Sequence, residues 1–393
     1  MIKFSDFRSR VFPVCFVLLF FFCSPGIDRF GQPNALFLAL FSIVSLLFFL
    51  SHYRTINLHL ELSLLELFYL FFSSVVLIFI VPSSTIPNGF FLSYLNIVCS
   101  IIIGVFVFNY VVSLNLSQKE RVLVNTILLV SLFSIIHFFM LKLGVITPSE
   151  RDFYRNYTGG FVILKGFFNE PAHYGIFMSV LIFTGLVAIE SFIRKHVVLV
   201  VLACTSVFLT YSLSGIVMCL SAFGIWYFKN YKTYLVTIIL PFVFFAIAAL
   251  FAVSFTLSFS SESIIFDRLI NVLAGDDNSS NYRIFESWAF VQYIDNPFNF
   301  LFGTGVGNND YFSEKVMKMD SSFVGINVLA NSLYIGGFIY LSFVLFKFWL
   351  LCRSPYVFSF TVIFCFSHGY LVGPIFYPLL GFSFGFFARD NYV

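Results

Sequence analysis

Apolar runs of roughly 20 residues recur along this chain from residue 10 to residue 388, and few charges interrupt them. A helix crossing a hydrocarbon core of about 30 Å needs about 20 such residues. In lipid every backbone polar group must bond within the protein, so such runs predict spanning helices. The spans read as 10–24, 35–50, 63–82, 90–113, 122–145, 175–190, 195–211, 213–228, 233–258, 323–351, 355–370 and 373–388. A β-barrel would alternate in polarity over segments of about ten residues, which runs such as Val122–His137 do not do. The expected fold is all-α: a polytopic membrane protein of about 12 transmembrane helices, forming a single integral membrane domain over residues 1–393.

Only 10% of residues are charged, against about 25% in soluble domains. The 60 phenylalanines suit lipid-facing positions, which accept any large apolar side chain. Cysteines 15, 23, 99, 204, 219, 352 and 365 lie in or beside spans, so neither a disulfide framework nor a CxxC metal site is implied. No metal or cofactor is expected. The net charge of +3 follows membrane orientation rather than a nucleic-acid partner. The first span follows Lys3, Arg8 and Arg10 like a signal sequence, but no small-residue cleavage site follows it, so it reads as retained.

Alternating sides from an inside N-terminus gives a consistent orientation. Inside segments and flanks then hold Lys3, Arg8, Arg10, Arg54, Lys119, Arg121, Arg194, Lys195, Lys229, Lys232, Lys347, Arg353 and Arg389, which is thirteen of the 22 basic residues. Thirteen of the 19 acids fall outside. Short-loop Lys/Arg bias orients helices, so both termini are expected inside, with long outer loops at 146–174 and 259–322.

These two loops carry most of the polar chemistry. The first offers the cations Arg151, Arg155 and Lys165, with Glu170 and His173 just before the next span. Asn169, Glu170 and Pro171 read as a helix start. A helix beginning there turns its free N–H groups toward the water side, where they favour an anion such as pyrophosphate. Glu170 and His173, three apart, then share a face. The blander alternative has Glu170 merely capping its helix while the arginines reach lipid phosphates.

The second loop has nine acids and four bases. It contains the polar run GDDNSSN at 275–281, then Tyr282–Arg283 opening a segment whose spacing (Ile284, Trp288, Val291) suggests an interfacial helix. Asn296–Pro297 and LFGTGVGNND follow. Gly303, Gly305 and Gly307 have GxGxG spacing but no βαβ unit around them, which argues against a dinucleotide site. They suit a sharp turn or close approach to a ligand. The acidic run lacks EF-hand spacing.

Within the spans, Glu66, His137 and the Thr210–Gly215 run are the main polar features. Glu66 reads as lying near the inner interface, His137 stands alone in the sequence, and no chain of Asp, Glu or His suggests a proton relay. That weighs against a transporter, although ionisable residues in a membrane are functional candidates by default.

Several of these segments together resemble bacterial O-antigen polymerases. Arg155-x10-Gly166 resembles the Arg-x10-Gly motif of that family's third periplasmic loop, and GFFNEPAHYG (166–175) resembles a motif of the wider O-antigen ligase and polysaccharide polymerase group. Thr210-x-Ser-x-Ser-Gly215 is similar to the Thr/Ser-rich start of a following helix. GTGVGN (303–308), after Arg283-x4-Trp288, is similar to a glycine stretch before the last membrane block. The resemblance covers roughly residues 120–345. It departs in lacking a second Arg-x10-Gly and the arginine of the Thr/Ser motif. Asp320-Ser-Ser stands where ligases carry a histidine, which argues against ligation.

The resemblance implies an inverting glycosyltransferase that joins undecaprenyl-diphosphate-linked oligosaccharides at the outer face of the bacterial cytoplasmic membrane. Arg155 and Arg283 would steady the diphosphate leaving group, and Glu170 or else His173 would act as base. Arg151, Lys165, Gly166, Asn169, Gly303, Gly305, Gly307, Asn308 and Asp320 would line the substrate site. Membrane lipids, a chain-length regulator and a flippase are the expected partners. The rivals are an O-antigen ligase, a polysaccharide flippase or transporter, and a non-catalytic assembly partner.

Overall fold

The computed structural model describes residues 11–19, 33–52, 58–80, 90–145, 163–166, 168, 171–230, 286–294, 296–306, 327–352, 354–367 and 376–388. Every regular element among them is helical. The apolar runs become α1 (Pro33–His52), α2 (Leu58–Ile80), α3 (Phe90–Val112), α4 (Leu116–Lys142), α5 (Pro171–Ala188), α6 (Val197–Phe208) and α7 (Leu213–Asn230). The short α8 (Pro297–Phe302) precedes α9 (Val328–Cys352), α10 (Pro355–Ser367) and α11 (Phe376–Phe387). Residues 11–19 are also helical. Among the described residues, Ser93–Val112, Leu116–Lys142, Pro171–Ala188 and Val328–Cys352 are long and apolar enough to cross a membrane. The expected span at 233–258 lies outside the described residues.

The chain divides into two compact units. The first comprises residues 1–34 and 114–274, and the second residues 35–113 and 275–393.

In the first unit, α5 is the central helix, buried on every side from Ala172 to Val187. It crosses α7 where two glycines meet: a Cβ on Gly175 would lie 2.8 Å from the Gly215 Cα, and the reverse holds equally. Small residues allow such backbone approach in a membrane, where apolar contact alone does little to choose between helix partners. Ser179 secures the crossing by donating to the Gly175 carbonyl at 2.7 Å and the Gly215 carbonyl at 3.1 Å.

The same unit is polarised end to end. At one end Asn115 caps α4: its Oδ1 accepts from the Gln118 N–H at 3.0 Å and Gln118 Oε1 accepts in return at 3.2 Å. One turn on, Glu120 accepts from Lys195 at 3.4 Å and lies 2.9 Å from His196 Nε2. Lys229 donates to the Val187 carbonyl at 2.6 Å. The opposite end holds residues 163–166 and Phe168 and the turn between α6 and α7.

In the second unit, α3 and α11 pack through Gly104, Gly381 and Gly385, each of which lacks room for a side chain. The α9 helix is broken at Gly337 (φ 71°, ψ −171°), a left-handed conformation that favours glycine.

Candidate functional site

The described part of the first long loop is a built anchor. Lys165 and Phe168 close a turn, with the Phe168 N–H donating to the Lys165 carbonyl at 3.1 Å. Gly166 sits inside it at φ +58°, and a Cβ there would collide with Ser134 Oγ of α4. This position therefore requires glycine on two independent grounds. The Leu164 N–H donates to the Leu209 carbonyl at 3.1 Å, tying the loop's return to the end of α6. Phe168 is buried against Tyr174 and Phe177, with ring centroids 6.0 and 5.2 Å away.

The Thr/Ser run makes the adjoining turn. Thr210 is fully buried, donating to the Val207 carbonyl at 2.6 Å and accepting from the Ser212 N–H at 3.1 Å. Ser212 Oγ in turn accepts from the Gly215 N–H at 3.4 Å, capping the start of α7. One hydroxyl closes a helix and the next opens another, with Tyr211 at φ 51° making the reversal between them.

The fifth helix begins at Pro171, where the sequence places a helix start. Proline suits this position because it lacks an N–H that would go unbonded there anyway. His173 is half-buried in the first turn, and Lys165 is buried. Three sequence segments therefore meet at one end of the first unit: Gly166, the α5 start ending at Gly175, and Thr210–Gly215. Arg151, Arg155, Asn169, Glu170, Arg283, Gly307, Asn308 and Asp320 lie outside the described residues.

In the second unit, the glycine run has a definite structural partner. Residues 303–306 lie against the broken stretch of α9. The Thr304 and Gly305 N–H groups donate to the Tyr334 and Ile335 carbonyls at 2.8 and 2.9 Å. Tyr69 of α2 donates to the Gly336 carbonyl at 2.7 Å. Carbonyls released by the helix break are thus bonded by the loop and by a neighbouring helix. A Cβ on Gly303 would lie 2.5 Å from the Gly337 nitrogen, so this glycine meets a backbone. The Val306 N–H completes the attachment at 3.1 Å from Ser74 Oγ of α2.

Upstream, residues Glu286–Tyr293 form a 3-10 helix. Its buried side chains are Ser287 and Phe290, whereas Val291 is exposed. The spacing of Ile284, Trp288 and Val291 had marked a different face. The reason is tertiary: Asn327 Nδ2 donates to Ser287 Oγ at 2.7 Å, while Phe290 meets the Tyr334 ring edge-on at 5.2 Å.

Spacing in the sequence shows no partner for Glu66, and the structure supplies several. Glu66 is 1% exposed and Lys347 2%, and they pair at 2.6 Å. The other carboxylate oxygen accepts from Tyr340 at 2.7 Å and Tyr377 at 2.5 Å. Lys347 also donates to Ser63 Oγ at 3.0 Å, which lies 3.3 Å from His59 Nδ1. Glu66 and Lys347 are 281 residues apart, so no local spacing exposes the pair. The available signal was modest: Ser63, Glu66 and Tyr69 recur every three residues on α2, and Tyr340 and Lys347 stand seven apart, two turns along one face of α9. From His59 to Tyr69 the network extends about 15 Å along α2, about half of a hydrocarbon core. His137, which the sequence left alone, stacks on Phe133 at 6.4 Å.

No curated protein and no solved structure matches the chain. A family model described as O-antigen ligase matches residues 198–332, about a third of the length. The matched stretch includes Thr210–Gly215, Arg283, the glycine run and Asp320, while Arg155, Gly166, Glu170 and His173 precede it. The hydroxyl turn that opens α7 and the glycine run seated on the broken helix thus both fall within the stretch that is similar to the O-antigen ligase family.

Proposed function

We propose that this protein polymerises undecaprenyl-diphosphate-linked oligosaccharide repeats at the outer face of the cytoplasmic membrane, for O-antigen or a capsule-like polysaccharide. The observation that carries the reading is the meeting of Gly166, the α5 start and the Thr210–Gly215 turn at one end of the first unit. The Arg155–Gly166 loop is thereby fixed at its return beside the N–H groups that open α5, a setting suited to a diphosphate. Twelve spans with both termini inside place this end outside. The pairing of Glu120 with Lys195 and His196 at the other end agrees with the charge bias in keeping both segments on one side.

In the reaction, a sugar hydroxyl of one lipid-linked repeat attacks the anomeric carbon of the growing chain from the face opposite the leaving group. The bond to the diphosphate oxygen breaks, and undecaprenyl diphosphate departs with the bonding pair. Arg155 and Arg283 offer planar guanidinium forks to that anion, with Arg151 and Lys165 adding positive charge. Glu170 takes the hydroxyl proton, with His173 as the second candidate. Asn169, Gly303, Gly305, Gly307, Asn308 and Asp320 complete the substrate contacts. A flippase supplies the repeats and a chain-length regulator governs their number. The second reading, ligation of finished chains to a lipid acceptor, is favoured by the description of the matched family. Asp320 in place of a histidine weighs for polymerisation.

The test is complementation of a strain lacking its own polymerase, read as the ladder of surface polysaccharide. Arg155→Ala and Glu170→Gln at normal protein level should each abolish the long ladder. Losing one charge-assisted contact to the departing diphosphate costs about 2–4 kcal/mol of transition-state stabilisation. Wild-type ladders from both variants would refute the assigned roles. Failure of the wild-type protein to build any ladder, while attaching preformed polymer, would favour ligation.

A further inference from the structure

We infer that Glu66 and Lys347 are positioning residues: their pairing fixes the axial register of α9 on α2, and thereby the seat of residues 303–306 of the second outer loop. The role in catalysis rests on the polymerase reading; the register itself does not.

One face of α2 carries the whole arrangement. Ser63 and Glu66 hold Lys347, Glu66 also holds Tyr340, Tyr69 bonds the Gly336 carbonyl, and Ser74 accepts from the Val306 N–H. Read outward from Ser63, the partners run backward along α9 from 347 through 340 to 336 and then reach 306. The two helices therefore lie antiparallel, with charge at one end of the contact and the glycine segment at the other. The Tyr69 and Tyr340 rings stack between them, 5.9 Å apart and within 5° of parallel.

Apolar helices in lipid gain little from one register over its neighbours, because lipid tails and leucines are equally apolar. A buried charge pair is different. Sliding or rotating α9 would strand a lysine or a glutamate in an apolar surrounding, at large cost. Every oxygen of Glu66 is engaged, so only one arrangement satisfies it. That constraint matters here because α9 is broken. Across Gly337 the helix cannot hold its own geometry, and the outer half, Val328–Gly336, is held by hydrogen bonds from Thr304, Gly305 and Tyr69. The same half also holds the 3-10 helix through Asn327, Ser287, Phe290 and Tyr334. The loop segment that follows Arg283 in sequence is thus set from an ion pair placed deeper along the helices.

The experiment uses the full chain with cysteines at Ser74 and Val306, and measures the rate at which a short thiol cross-linker joins them. Lys347→Ala alone strands Glu66 and is expected to lower the yield of folded protein. The decisive variant is therefore Glu66→Gln with Lys347→Met, which stays neutral and keeps an acceptor for Tyr340 and Tyr377. At wild-type yield, this double variant should cross-link at least about fivefold more slowly. Maximal polymerisation rate should fall about tenfold, with the apparent KM for lipid-linked repeats unchanged within about twofold. An unchanged cross-linking rate would overturn the register role. Slower cross-linking with a normal polymerisation rate would overturn the catalytic consequence. If the wild-type chain makes no polymer, the polymerase reading fails while cross-linking still judges the register.

Discussion

Two helix contacts, one in each unit, are held together by opposite means. In the first, α5 and α7 meet at Gly175 and Gly215 with nothing but backbone between them, and a single serine bridges the crossing. In the second, α2 and α9 meet through a lysine, a glutamate and the Tyr340 phenol, with the Tyr377 phenol of α11 joining them, all buried in an apolar surrounding. The first contact depends on shape and tolerates no added atom. The second depends on charge and tolerates no missing partner. Shape fixes how close two helices come, whereas charge fixes how far one has slid along the other.

Three substitutions test that contrast, in descending order of effect. Lys347→Ala removes the cation and leaves Glu66 buried, and breaking a buried pair from one side costs about 3–5 kcal/mol. Unfolding in detergent micelles should show this loss; a midpoint close to wild type would mean that the charge partner is dispensable. Gly215→Ala places a methyl group 2.8 Å from the Gly175 Cα, and overpacking costs about 1–3 kcal/mol. Its control is Gly224→Ala on the same helix, which meets nothing within 4 Å and should be neutral or stabilising by about 1 kcal/mol or less. Equal effects from the two glycines would show that helix propensity, not close approach, governs this helix. Ser179→Ala deletes only the bridging hydroxyl and should cost about 0.6 kcal/mol, the usual worth of such bonds in a membrane. A loss as large as that of Gly215→Ala would reverse the ranking of shape above hydrogen bonding in this unit.

The contrast also explains what could be read from the amino-acid order. Apolar runs located α2, α3, α4 and α9 within a few residues, because lipid imposes the same demand on every residue of a span. The Gly175–Gly215 contact lay hidden in plain motifs: GFFNEPAHYG and TYSLSG each end on the glycine that touches the other. Spacing gave Gly166 as part of a motif, but its reason, a left-handed turn pressed on Ser134, comes only from packing. The run at 303–306 was legible as glycines that let a chain approach something closely. That the something is the broken turn of α9 depends on Gly337, which stands 34 residues away. The ion pair was least legible, since each member alone looked like an ordinary flank residue. Its meaning lies wholly in the pairing of distant helices.

The anchor at Gly166 has an evolutionary consequence. It lies against Ser134, eight residues before the end of α4, or about 12 Å back along that helix. Residues 146–162 therefore join two points that the scaffold has already fixed, Val145 on one side and Ile163 on the other. Closing a chain between fixed ends grows harder only slowly with its length, by about 0.6 kcal/mol per doubling. Added residues in this stretch, with Arg151 and Arg155 kept, therefore cost little stability, while the glycine turn behind it is closed to change. A lineage under pressure to alter the sugars it handles can vary the remainder of 146–162 without renegotiating how its helices meet.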